Sequence, residues 1–97
     1  MSKRLHSFKQ HCERVGLELL FDDYRFIDRS LDNFKKIEFK AVLTRYTEEW
    51  ARGMAGAKTI EQEQGCGRRM ANTWLLQYSE ERRRENKKNE SASTKPD

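Results

Sequence analysis

Apolar residues along this chain recur at helical intervals. Leu5, Phe8, Cys12 and Val15 follow a 3-4-3 spacing, one stripe of a helix from residue 2 to about 15. Ser2 is placed to cap its start, and Gly16 to end it or bend it. The next apolar run, Leu17 to Phe21, is short and leads into an acidic turn at Asp22-Asp23. With no partner strand pattern elsewhere, helix or irregular structure is expected there.

The longest periodic segment predicts a second helix from about Ser30 to Met54, with Ser30 or Asp28 as N-cap and Asp32 complementing the dipole in the first turn. Its apolar residues form two groups. Phe34, Ile37 and Ala41 fall on one side; Phe39, Val42, Leu43, Tyr46 and Trp50 fall on another. A surface helix needs one stripe, so two imply packing on both sides, within the fold or between the fold and a partner. Gly53 to Ala57, GMAGA, lowers helix propensity and predicts the turn. Thr59-Ile60-Glu61-Gln62 then has the form of a capping box.

A third helix follows, over about 59–86. Met70, Trp74 and Tyr78 repeat every four residues, with Ala71 and Leu75 beside them. Gly65-Cys66-Gly67 interrupts it, yet Ile60, Gly67 and Trp74 keep heptad phase across the interruption. One helix with a close-packing notch and two helices with a hinge both fit. Past Tyr78 no apolar face remains, and only pairs such as Glu80–Arg84 support a helix. From Asn89 onward the composition predicts a disordered tail. The expected fold is all-α: three main helices (about 2–15, 30–54 and 59–86) and a polar C-terminal extension. Residues 1–79 would form a small helical domain, and 80–97 a charged extension and tail. The first helix and the Met70–Tyr78 face should pack on the central helix.

Composition sharpens this. Charged residues make up 37% of the chain and hydrophobic ones 35%, against about 25% charged in ordinary domains. So polar a chain of 97 residues buries little apolar surface, and a partner can contribute to its order. The net charge is +4, but 16 acidic residues are interleaved with 20 basic ones, so the chain is no polycation.

Candidate chemistry is sparse. His6 and His11 are five apart and His11 adjoins Cys12, spacings that put no two ligands on one helical face. No metal site or cofactor is expected. Cys66, beside Arg68 and Arg69, is the one thiol placed for reactivity, but the sequence shows no positioned base. The adjacent pairs Asp22-Asp23 and Glu48-Glu49 suit a solvated surface better than acid–base work. No enzyme is expected. With two isolated cysteines, no apolar leader and no apolar run near a membrane-span length, a cytoplasmic protein that does not enter the membrane is expected.

Binding fits more features. Aromatic and arginine side chains most often anchor interfaces, and the last helix carries both. Arg68, Arg69, Trp74, Tyr78, Arg82 and Arg83 are the candidate partner-binding residues. Trp50 is expected in the core, whereas Trp74 suits core and interface equally. The alternative is a small DNA- or RNA-binding regulator whose Arg-rich last helix lies along phosphates, although Glu80, Glu81, Glu85 and Glu90 cancel part of that field.

The stretches VLTRYTEEWARGMAGAKTIEQEQ and GCGRRMANTWLLQYSEERR give residues 1–86 an overall character that resembles the anti-RecBCD recombination-accessory proteins of lambdoid bacteriophages. The resemblance implies a non-enzymatic inhibitor or modulator. It would bind the host RecBCD helicase–nuclease, with nucleic acid in the same assembly, and favour phage recombination. It carries no residue-by-residue motif, so it assigns no functional residues.

Overall fold

The computed structural model describes the backbone of residues 3–32 and 34–93 and the side chains as far as Glu85. A 3-10 turn, Lys3–Leu5, leads into α1 (His6–Arg14); α2 (Phe21–Ser30) and α3 (Lys36–Ala55) follow. A second 3-10 turn, Ile60–Gln62, opens α4 (Glu63–Ser93). The described residues hold four α-helices and no strand. The fold is all-α, with four helices where the spacing predicts three.

Each boundary has a local cause. Gly16 ends α1 with a left-handed φ of 82°. The amide of Leu17 reaches back to the carbonyl of Cys12 at 2.8 Å, the long bond of a Schellman stop. That turn buries Leu17 and leaves Val15 outside the stripe, half exposed. The additional helix, α2, starts where an acidic turn is expected. Asp22 and Asp23 form its first turn, where carboxylates complement the dipole, and Asp23 accepts the amide of Leu20 at 2.8 Å. Ser30 closes α2 and is buried, so it caps nothing; α3 begins at Lys36 with Lys35 as N-cap.

Two further expectations are corrected at the α3–α4 connection. Gly53 lies inside α3 and is buried, so the turn comes only at Gly56, because close packing there overrides helix propensity. Thr59 is extended but makes no side-chain cap bond, so the capping box does not form. At the far end α4 runs to Ser93, past the Asn89 where a tail is expected, since no glycine or proline interrupts NESAS. Ser2 and residues 94–97 lie outside the described residues.

The core gathers Leu5, Phe8 and Cys12 of the first segment with Tyr24, Ile27 and Leu31 of the second. Phe39, Val42, Leu43, Tyr46 and Trp50 of α3 and Ala71 and Leu75 of α4 complete it. Trp50 is 0% exposed, as its place in the main stripe predicts. The second stripe divides: Phe34, just ahead of α3, is partly buried against the core and the Tyr78 ring, whereas Ile37 is 86% exposed and Ala41 is exposed as well. On α4 the inward line is Gly67, Ala71, Leu75 and Ser79, while Met70 is exposed. A rotation of the buried face by one position moves Met70 outward.

Candidate binding groove between the long helices

The groove begins with glycine. A Cβ on Gly53 would lie 2.5 Å from the Cys66 carbonyl oxygen and 2.8 Å from the Gly67 Cα. On Gly67 it would lie 2.5 Å from Cδ1 of Trp50, which has no room to move. The two backbones therefore meet at a contact that only glycine permits. Gly65 meets nothing within 4 Å. Of the two sequence alternatives, the structure adopts the notch: one continuous helix packed tightly through Gly67.

Beside this contact a groove of about 520 Å³ opens between α3 and α4, with Glu49, Arg52, Arg69, Met70 and Trp74 among its lining residues. Trp74 is half-buried and stacks on Tyr78, with ring centroids 5.3 Å apart and planes at 29°. The Arg45 guanidinium stands 5.7 Å from the centroid of the Trp74 ring. Glu49 is a carboxylate only 6% exposed, accepting Arg45 Nε at 2.8 Å and Arg52 Nη1 at 3.1 Å. Its charge is used within the wall, while both arginines extend to solvent. Arg69 is exposed and makes no ion pair among the described residues. The result is an aromatic and apolar floor inside a rim where two guanidiniums, Arg52 and Arg69, outnumber one buried carboxylate, with Arg45 beside the Trp74 ring.

The six candidate side chains divide among different tasks. Arg69 and Trp74 meet in the groove, with Tyr78 stacked behind the tryptophan. Arg68 turns inward: Nε donates to Asp23 at 2.9 Å, Nη2 donates to the Glu18 carbonyl at 3.1 Å, and the guanidinium lies 5.3 Å from the Trp50 ring centroid. Asp23 also accepts Asn72 Nδ2 at 3.0 Å, and Asn72 in turn accepts the Tyr46 hydroxyl. This buried network fastens α2 to the long helices. Burial, and then the Asp23 charge, pushes the Tyr46 phenol far above its ordinary range.

Arg82 and Tyr78 fasten the opposite end. Arg82 donates to Glu38 through Nε and Nη2, both at 2.8 Å, and Tyr78 donates to the same carboxylate at 2.8 Å. The Arg82 hydrogen bond, more than that of Tyr78, holds the Glu38 carboxyl below its usual range. Arg83 lies apart from the groove, exposed at the edge of a second cavity.

Gln64 also escaped the sequence analysis. It accepts Trp50 Nε1 at 3.0 Å and the Glu18 amide at 2.9 Å, and donates to the Gly16 carbonyl at 3.0 Å. Such long-range bonds leave no local signature. The Arg45–Glu49–Arg52 wall does leave one, in its i,i+4 and i,i+3 spacing. Burial is the main reason the Cys12 thiol is pushed up to about 12, whereas Cys66 is half-buried at the groove. No three His, Cys, Asp or Glu side chains among the described residues are grouped to hold a metal ion. No helix among them is long and apolar enough to cross a membrane. Comparison of the chain with protein-family models, with curated protein sequences and with solved structures gave no match.

Proposed function

We propose that this chain is a small, non-enzymatic accessory protein that docks on a host DNA-processing complex and modulates or inhibits it. The phage-family resemblance makes the RecBCD helicase–nuclease the partner of choice. The observation that supports docking is the α3–α4 groove, where exposed Met70 and half-buried Trp74 lie beside arginines. Large aromatics and arginines are the side chains whose burial contributes most at interfaces. An acidic segment presenting one or two apolar side chains has the complementary chemistry, because apolar contact fills the floor and carboxylates reach Arg52 and Arg69.

Arg69→Glu is the clean test, since Arg69 makes no ion pair among the described residues. The variant should keep its helical circular dichroism and melting temperature while losing at least tenfold in affinity for purified RecBCD, read by calorimetry. Trp74→Ala should weaken binding further. Unchanged affinity in both folded variants would remove the groove as the docking face, and no binding by the wild-type chain would remove RecBCD as the partner.

A further inference from the structure

A second cavity, of about 510 Å³, lies where the end of α2, the start of α3 and the middle of α4 converge. Arg29, Lys35, Arg82 and Arg83 line it with a single acid, Asp32. Arg82 is already engaged by Glu38, so its charge is not counted. Arg29, Lys35 and Arg83 against Asp32 still leave the cavity net positive.

Two features point to an anion. Ser30 lines the cavity at 8% exposed, and its hydroxyl makes no hydrogen bond to any described residue. It is not sealed in protein either, so its free donor opens on the cavity. In addition, Lys35, the N-cap of α3, lines the cavity and makes no side-chain cap bond, so the positive end of a 20-residue helix lies beside the cavity, its one first-turn acid, Glu38, being engaged by Arg82. The competing negative end, that of α2, is covered. Arg4 donates to the carbonyls of Asp28 at 2.9 Å and Leu31 at 3.3 Å, and the Phe34 amide donates to Leu31 at 3.2 Å.

We propose that this cavity binds a phosphate group, with the Ser30 hydroxyl as donor and Arg29, Lys35 and Arg83 as counter-charges. The site differs from an Arg-rich helix lying alone on nucleic acid, because its groups come from three segments and α4 supplies one of the counted cations. The phosphate can belong to a nucleic-acid strand or be free in solution. Exposed Arg84 carries positive charge on from Arg83, as a strand would require.

The test follows amide shifts of the full, isotope-labelled chain during titration with inorganic phosphate, and separately with a short single-stranded oligothymidylate. Shifts at Ser30, Lys35 and Lys36 in both titrations support a site for phosphate itself; shifts with the oligonucleotide alone support a strand as its source. Ser30→Ala should weaken binding about threefold. Arg83→Glu should weaken oligonucleotide binding about tenfold and flatten its salt dependence by about one contact. Neither change touches a residue that fastens the helices, so both variants should stay folded. Two results would each overturn the proposal: no shift at these amides with either probe, or oligonucleotide affinity unchanged in both variants.

Discussion

At the loop end of the α3–α4 pair, Gly53 and Gly67 bring the two backbones together with Trp50 wedged against them. At the other end the same helices are joined by Glu38, which accepts Tyr78 and Arg82. The first junction is buried and steric, so salt and pH hardly reach it. The second is about one-third and one-quarter exposed, with side-chain values of 35% for Arg82 and 24% for Glu38, and is therefore open to screening. One helix pair thus combines a junction that tolerates no added atom with one that tolerates replacement but responds to solution conditions. The groove proposed for docking adjoins the rigid junction, where a preformed surface would lose least on binding.

The largest effect should come from adding a methyl group at the rigid end. Gly67→Ala gains about 1 kcal/mol of helix propensity but overpacks Trp50, and such changes cost about 1–3 kcal/mol or more where nothing can yield. A net loss of about 2 kcal/mol is expected from urea unfolding. Gly65→Ala, two residues away in open space, should instead stabilise by about 1 kcal/mol. Equal effects of the two alanines would show that the notch is not a close contact.

Alkaline titration sharpens the comparison through the tyrosines. Burial first, then charge, raises the Tyr46 phenol strongly, while Tyr78, raised by burial and by its bond to Glu38, sits nearer solvent. A phenol whose folded value is raised contributes stability below its unfolded value, 10.0, and loses it as pH rises further. Above that point each pH unit should remove about 1.4 kcal/mol per retained proton. Ultraviolet titration should show Tyr78 ionising before Tyr46, whose ionisation should accompany unfolding. Simultaneous ionisation in a folded chain would contradict the burial of Tyr46.

Glu38→Gln should have the smallest effect, lowering Tm by about 2–4 °C at neutral pH and low salt. The folded carboxyl titrates below its ordinary 4.5. Its contribution is therefore present above that value and is lost as pH falls through the folded one. The difference from wild type should shrink in acid and near 1 M salt, where the Debye length is about 3 Å. A salt-independent difference would make the second junction steric as well.

How legible these features were in the sequence depends on how local their causes are. The main stripe of α3 and the Ala71–Leu75 line follow from spacing alone. Tyr24, Ile27 and Leu31 carry a 3-4 spacing that marks α2, but Asp22-Asp23 resembles a turn when it is in fact a helix start. Periodicity aligns Ile37 with Ala41 without telling whether anything covers them. Gly53 looks like a breaker because propensity is a property of single residues, whereas its role depends on Gly67, fourteen positions on. Of the six candidate binding residues, Arg68 and Arg82 are indistinguishable in sequence from Arg69 and Arg83. Only the placement of Asp23 and Glu38 separates them.

The two cysteines have a practical consequence. Cys12 is sealed in the core with its thiol pushed up to about 12, whereas Cys66 is half-buried and lines the groove. A folded chain should thus offer alkylating reagents one sulfur and withhold the other. Labelling stoichiometry then counts unfolded molecules, and the labelling rate at Cys66 reports whether the groove is occupied, without any residue being changed.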